Sequence, residues 1–263
     1  MTSLIRKEFE LVEMGINAVL SGAIIAEESN SAAVINRKGN LRDVVTEADL
    51  EINKVLREKL IEKGWDVISE ESPLPSRLQN NYWVIDPIDG TANFANGIPY
   101  YAVSVGWLKE GQPSLGFVCA PALNEFYATL SNKTSYLNGK AINHVHEISQ
   151  NALVAASFAA KAGSSQYLLF QEVNESTRGC LRTGSAALNL CWTASNKFQA
   201  CFGLGAKVWD VAAGLALNIA AGSRVEIFSY PDNVTIDYCV GSKEVVSDII
   251  IRAKSHGLWR EMS

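Results

Sequence analysis

Histidine and paired cysteine motifs are scarce in this 263-residue chain, and their scarcity limits its metal chemistry. Only three histidines occur, and His144 and His146 lie two residues apart without the ligand spacing of a zinc site. The five cysteines are odd in number, widely separated and never form a CxxC pair. The sequence therefore predicts no zinc site. It predicts reduced, mostly buried thiols, as in a cytoplasmic protein.

A basic balance of charge and a long apolar run are also missing. The chain has 23 Lys and Arg against 28 Asp and Glu, a net charge of −5. This balance argues against general affinity for nucleic acid, whose phosphates need a basic face. The first 20 residues carry charges from Arg6 to Glu13 inside their apolar pattern, unlike a signal peptide. No later segment offers about 18 consecutive apolar residues, so we expect no membrane partner. The acidic charge balance likewise predicts no nucleic-acid partner.

The hydrophobic pattern predicts two differently organised halves. Apolar residues at helical spacing fill 4–28 and 46–64, and strand-like runs follow one another up to about residue 145. After that point, strands and helices alternate more regularly. This order predicts a layered α+β or α/β architecture in a single domain, 1–263. A soft boundary separates an α+β half, 1–145, from an α/β half, 146–263.

Two aspartates follow an apolar run in WVIDPIDGTANF, residues 83–94. Pro87 cannot supply a ladder hydrogen bond and is predicted to end the strand just after Asp86. The turn would expose Asp86, the Ile88 carbonyl and Asp89 on one side. Oxygen ligands of this kind favour Mg²⁺, Mn²⁺ or Ca²⁺ over zinc.

The end of the same stretch could receive an anion. Gly90 permits a tight turn, and Thr91 can cap a short helix that begins there. Backbone N–H groups at such a helix start point towards the space beside the aspartates, as in phosphate sites. Taken alone, the stretch is equally compatible with an Asp-rich turn whose carboxylates cap backbone groups.

Three further acidic positions lie at the ends of predicted elements. Glu70 follows the preceding strand, and Asp49 stands three residues after Thr46 at a helix start. Asp210 lies near the start of an apolar helix. Asp49 also fits a simple capping box with Thr46, and Asp210 also fits a first-turn acid favoured by the helix dipole. Several acidic groups at element ends favour a shared metal site over separate caps.

Five segments together resemble the inositol monophosphatase family, a family of Mg²⁺-dependent, often lithium-sensitive phosphatases. They occur in the family's order and spacing over nearly the whole chain: DVVTEAD (43–49), SEES (69–72), DPIDGTANF (86–94), LRTGSAAL (181–188) and VWDVAAG (208–214). The resemblance implies the layered α-β-α-β-α sandwich that this family shares with fructose-1,6-bisphosphatase. It also implies a cytoplasmic homodimer that acts on a small phosphate ester.

The resemblance also implies two to three Mg²⁺ ions, with Mn²⁺ as a substitute. One ion would be held by Glu70, Asp86 and the Ile88 carbonyl. A second would lie among Asp86, Asp89 and Asp210, and a third, looser ion near Glu70.

Further roles follow from the same resemblance. Asp49 and the Thr91 hydroxyl would position and help deprotonate the attacking water, with Glu70 beside them. The amides of Gly90 and Thr91 would hold the phosphate. The substrate pocket is expected to include Arg182, Gly184 and Ser185 together with Asp89 and Asp210. Arg182 is equally compatible with a surface or intersubunit salt bridge.

Two positions depart from the family pattern and weaken the inference to inositol. Many members carry a glutamate that binds substrate hydroxyls seven residues before the WD aspartate, where this chain has Gly203. Asn189 stands where many bacterial relatives have Asp. Other sugar phosphatases, including fructose-1,6-bisphosphatase, and 3′(2′),5′-bisphosphate nucleotidases are therefore alternatives, although Ala92 after DGT differs from the charged residue typical of the nucleotidases. A metal-stabilised regulatory protein without turnover is a more remote alternative.

Overall fold

A computed structural model describes residues 2–29, 34–37, 44–74, 78–131, 134–146, 149–158, 163–229 and 234–259. The helices found there are α1 Thr2–Glu28, α2 Glu47–Ile61, α3 Thr91–Ala95, α4 Ser164–Ser176, α5 Ala186–Ala194, α6 Val208–Ala221 and α7 Lys243–Ser255. The strands are β1 Val34–Arg37, β2 Val44–Thr46, β3 Asp66–Ser69, β4 Asn81–Asp89, β5 Ala102–Lys109, β6 Gln112–Ala120, β7 Glu125–Ser131, β8 Thr134–Leu137, β9 Lys140–Ile142, β10 Leu153–Phe158, β11 Gly179–Leu181, β12 Ala200–Lys207, β13 Arg224–Ser229 and β14 Thr235–Gly241.

The strands form two large sheets and one small pair. The first sheet follows chain order from β3 to β9, with β3 and β4 parallel and every later pair antiparallel. The second has the order β11-β10-β12-β14-β13, in which β11, β10 and β12 are parallel. Strands β1 and β2 pair with each other, antiparallel.

Helices cover both sheets and fill the space between them. Helices α1 and α2 pack on the outer face of the seven-stranded sheet, and α4 and α7 on the outer face of the five-stranded sheet. Helices α5 and α6 lie between the sheets and contribute buried side chains to both inner faces. The expected α-β-α-β-α sandwich is therefore confirmed.

Helix α1 is long and apolar despite the charges near its start. By length and composition, Arg6–Glu28 could cross a membrane. Ala18, Val19 and Ala23 on one face belong to the core under the seven-stranded sheet. A core helix passes the same test, so this helix alone is weak evidence for a membrane.

Strand β4 does not end at Asp86, so the predicted effect of Pro87 was wrong. The strand continues to Asp89, and its pairing with β5 shifts from Asp86↔Ser104 to Asp89↔Ala102. Three steps along β4 thus match two along β5, which is a β-bulge. Pro87 lies in the bulge, where the ladder is interrupted and a missing N–H is tolerated.

Helix α6 approaches the seven-stranded sheet closely because the facing strand carries a glycine. A Cβ placed on Gly116 would lie 2.1 Å from the carbonyl oxygen of Ala213, so only glycine fits there. The same packing brings the first turn of α6, which contains Asp210, towards the end of β4.

Candidate active site

Three carboxylates converge where the two sheets meet α6. Glu70 directly follows β3, Asp86 lies in β4, and Asp210 is in the first turn of α6. One oxygen from each lies within 4.8 Å of the others. The parallel pairing of Ser69 with Ile85 explains the proximity of Glu70 and Asp86, as the sequence predicted. Glu70 is exposed, Asp210 is half-buried and Asp86 is buried.

The electrostatics of this cluster favour a bound cation. Burial, and then the charges of Glu70, Asp89 and Asp210, hold the pKa of Asp86 well above its usual range. The pKa of Asp210 is raised in the same way, chiefly by burial and secondly by Asp89. The Oδ1 atom of Asp86 is buried and has no hydrogen-bond partner in the described part of the chain. Since a buried carboxylate oxygen needs a partner, a hard cation with oxygen ligands fits these residues.

Asp89 is held by the start of helix α5 rather than by the cluster. Its Oδ2 accepts hydrogen bonds from the Ser185 hydroxyl and, at 2.7 Å, from the Ala187 amide. Its Oδ1 accepts from the Ala186 amide at 3.3 Å. Burial raises the pKa of Asp89 to about 6, although these hydrogen bonds oppose the shift. The role of Asp89 as a ligand of the second ion stays a prediction.

Asp49 caps helix α2 and also contacts Thr91; its role at the candidate site stays a prediction. Its Oδ2 accepts hydrogen bonds from the Thr46 hydroxyl and, at 2.8 Å, from the Thr46 amide, which completes a capping box on α2. Its Oδ1 accepts from the Thr91 hydroxyl at 3.2 Å. The Thr91 hydroxyl also lies 2.9 Å from the Ile88 carbonyl oxygen. Burial raises the pKa of Asp49 despite the hydrogen bonds from Thr46 and Thr91.

The turn after β4 is joined to the loop before α5. Gly90 has a φ of +94°, which favours glycine, and it precedes the five-residue helix α3. The Asn93 side chain donates to the carbonyl oxygens of Tyr100 at 2.8 Å and Thr183 at 2.9 Å. A Cβ on Gly184 would meet the Asn93 amide at 2.9 Å. A Cβ on Gly90 would lie 3.3 Å from Ser185 Cβ and 3.4 Å from the Gly184 carbonyl oxygen, so these three residues lie together. Their role in binding substrate stays a prediction.

Arg182 contacts the carboxyl end of β10. Its guanidinium donates to the Phe158 carbonyl at 2.7 Å and lies 4.8 Å from the centre of the Phe158 ring. Lys207, a second cation near the candidate site, donates from Nζ to the Thr235 hydroxyl at 2.7 Å. A substrate role for Arg182 remains a prediction.

Sequence reasoning missed the contacts that tie the site to α5. In the sequence, Asn93 stood out only as part of the family motif. Its side chain donates a hydrogen bond to the carbonyl of Thr183, which is 90 residues away along the chain. The hydrogen bonds between Asp89 and the 185–187 segment span nearly 100. The one available signal was Ser185 three residues before Leu188, a spacing that permits an N-cap.

Ser185→Ala is expected to lower the free energy of unfolding by about 1 kcal/mol, because it removes the N-cap of α5 and a donor to Asp89. Urea denaturation measures this change. Ser164→Ala is the matched control, since Ser164 is exposed in the first turn of α4, where the N-cap makes no side-chain hydrogen bond. Equal stability of the two variants would contradict the assigned role of Ser185.

Comparison with known proteins agrees with this geometry. The model of the inositol monophosphatase family matches residues 6–246. The chain belongs to the inositol monophosphatase family. It is similar to the Haemophilus influenzae protein named Nus factor SuhB, with 31% identity over 89% of this chain and 87% of that protein. It is 30% identical to the Aquifex aeolicus fructose-1,6-bisphosphatase/inositol-1-monophosphatase, over 92% of this chain and 94% of the relative.

Solved structures of the family have the same fold. Mycobacterium tuberculosis SuhB superimposes with a TM-score of 0.78 at 25% identity, covering 95% of this chain and 98% of that one. The SuhB protein of Bartonella henselae superimposes with a TM-score of 0.84 at 21% identity, covering 93% and 98%. The second likeness concerns the fold alone, because its sequence identity is low.

Proposed function

We propose that this chain is a Mg²⁺-dependent phosphomonoesterase that hydrolyses a small polyol or sugar phosphate, with inositol monophosphate as the first candidate. The observation that carries the proposal is the convergence of Glu70, Asp86 and Asp210 within 4.8 Å, with an unpartnered, buried oxygen on Asp86. Such a cluster is unfavourable without cations and has the oxygen ligands that Mg²⁺ prefers.

The family pattern extends the ligand set beyond this cluster. Glu70, Asp86 and the Ile88 carbonyl would hold one ion, and Asp86, Asp89 and Asp210 a second. A third would lie near Glu70, and Mn²⁺ would substitute for Mg²⁺. Bound divalent cations neutralise a phosphate dianion, lower the pKa of water and stabilise a leaving alkoxide.

The chain's own residues would position water and phosphate. The Thr91 hydroxyl can donate its single proton to Asp49 Oδ1 at 3.2 Å or to the Ile88 carbonyl at 2.9 Å. When it is directed at Asp49, Thr91 Oγ1 would accept a proton from water as its own proton passes to Asp49. The raised pKa of Asp49 suits a group that gains a proton during the reaction. The amides of Gly90 and Thr91 would hold the phosphate. Because Oδ2 of Asp49 is fixed by the capping box, Oδ1 stays directed at Thr91.

Family membership also supports a cytoplasmic homodimer that is inhibited by Li⁺ and acts on a soluble phosphate ester.

A second candidate is fructose-1,6-bisphosphatase activity, because the Aquifex aeolicus relative is named for both reactions. The name Nus factor carried by the Haemophilus influenzae relative keeps a non-catalytic role open. Retention of Glu70, Asp86 and Asp210 in one cluster favours catalysis over that role.

Phosphate release from a panel tests the proposal. The panel contains inositol 1-phosphate, fructose 1,6-bisphosphate and adenosine 3′,5′-bisphosphate, each with Mg²⁺ and with EDTA. We expect Mg²⁺-dependent release that is fastest with inositol 1-phosphate. Hydrolysis that persists in EDTA would contradict the metal assignment, and a strong preference for the nucleotide would contradict the substrate class.

A further inference from the structure

Tyr238 fills the space above Gly203 in the five-stranded sheet. The two residues are direct partners between β14 and β12, and Gly203 is also paired with Ser157 of β10. A Cβ on Gly203 would lie 2.1 Å from Cε1 and 2.6 Å from Cζ of Tyr238. Because Cζ bears the hydroxyl, the tyrosine crosses β12 and presents its hydroxyl end towards β10, where Ser157 is the register neighbour.

The Tyr238 hydroxyl is an unusual group in this position. It is fully buried and has no hydrogen-bond partner among the described residues. Burial of such a hydroxyl without a partner is costly. Ser157 is its polar neighbour, because both residues are register partners of Gly203. Burial raises the pKa of Tyr238 well above its usual range.

The orientation of Ser157 is set from its other side by Asn189. The Oδ1 atom of Asn189 accepts hydrogen bonds from the hydroxyls of Thr183 at 2.6 Å and Tyr100 at 3.2 Å. Its amide nitrogen must therefore be the donor, and it donates to Ser157 Oγ at 3.1 Å. A serine oxygen accepts at most two hydrogen bonds. The structure shows no hydrogen bond from the buried Tyr238 hydroxyl among the described residues. A bond donated from Tyr238 to Ser157 would fill the second position and leave the Ser157 proton free for a ligand.

Ser157 also lies where a ligand can reach it. It is only half-buried, and it stands near the carboxyl end of β10, beside the parallel strands β11 and β12. Ligands of α/β proteins bind at this end of parallel strands. The backbone N–H of Asn189 donates to the Ser185 carbonyl at 3.2 Å, one helical turn earlier, and the Ser185 hydroxyl donates to Asp89. The serine is thus connected to the carboxylates of the site through the first turn of α5.

We propose that Ser157 donates a hydrogen bond to the leaving alcohol, and that Asn189 and Tyr238 are positioning residues that make Ser157 a donor. This inference rests on the proposed phosphatase function and adds its alcohol specificity. The wall formed by Gly203, Ser157 and Tyr238 carries no charge. It therefore suits an alcohol that has an acceptor oxygen near the ester carbon, either a hydroxyl or a sugar ring oxygen. Because these residues include no carboxylate, the alcohol needs no hydroxyl that donates to one.

Ser157→Ala tests the role of the serine through a ratio of two substrates. Inositol 1-phosphate has acceptor oxygens beside the ester carbon, whereas phenyl phosphate has none in its leaving group. Loss of one neutral hydrogen bond is expected to lower the ratio of their kcat/KM values about fivefold, chiefly through KM for inositol 1-phosphate. Ser255→Ala, an exposed change at the end of α7, is the control in which the ratio stays constant.

Tyr238→Phe separates positioning from packing, because the ring stays on Gly203 while the hydroxyl is lost. We expect a two- to threefold rise in KM for inositol 1-phosphate with kcat unchanged. A ratio within twofold of the wild type in Ser157→Ala would overturn the role of Ser157, and an unchanged KM in Tyr238→Phe would overturn the positioning role of Tyr238. Either result leaves the phosphatase proposal standing. Absence of any Mg²⁺-dependent hydrolysis by the wild-type protein would overturn both.

Discussion

Asp86→Asn is expected to lower kcat/KM for phosphate release by about 10³-fold or more while the protein stays folded. The substitution keeps the shape of the side chain but removes the central charge of the Glu70, Asp86 and Asp210 cluster. Because burial and the neighbouring carboxylates disfavour the ionised form of Asp86, the asparagine should not destabilise the metal-free protein. We expect its melting temperature in EDTA to equal or exceed that of the wild type.

Thermal melts with and without Mg²⁺ complete this test. The wild-type protein should gain stability on addition of Mg²⁺, since a ligand that binds only the folded state stabilises it. Asp86→Asn should lose most of that gain. Asp248→Asn, which changes a carboxylate paired with Arg252 on α7, is the matched control. Normal turnover in Asp86→Asn would refute the two-metal assignment.

Thr91→Ala is expected to lower kcat by about 10²-fold or more and to change KM little, because the hydroxyl between Asp49 and the attacking water is lost. Thr91→Ser retains the hydroxyl and should retain at least about a tenth of the wild-type kcat. Steady-state kinetics at saturating Mg²⁺ distinguish the two variants. If both lose activity equally, the effect comes from packing at the start of α3, and the proton role of Thr91 is wrong.

Local sequence signals were sufficient for the first part of the site. Glu70 and Asp86 follow two neighbouring apolar runs, and parallel pairing of β3 with β4 places them together. The capping box of Asp49 is equally local, although its contact with Thr91 requires the fold. Asp210 was assigned to the cluster mainly through the family resemblance, since an acidic residue in the first turn of a helix often serves only the helix dipole.

The remaining contacts depend on register and on sheet order, which local patterns do not determine. Pro87 was expected to end β4, but a bulge accommodates it and carries the strand on to Asp89. The five-stranded sheet has a non-sequential strand order, so no local pattern placed Tyr238 opposite Gly203. The absence of a glutamate at position 203 was visible in the sequence; the tyrosine that occupies its space was not.

The hydrogen bonds between Asp89 and α5 have a consequence for the order in which the site assembles. The amides of Ala186 and Ala187 would be a natural anion site at a helix start, but Asp89 already occupies them. An approaching phosphate therefore meets the negative charges of Glu70, Asp86 and Asp210 without this compensating dipole. Association should be ordered, with cations entering first, and free phosphate should bind only to the cation-loaded protein.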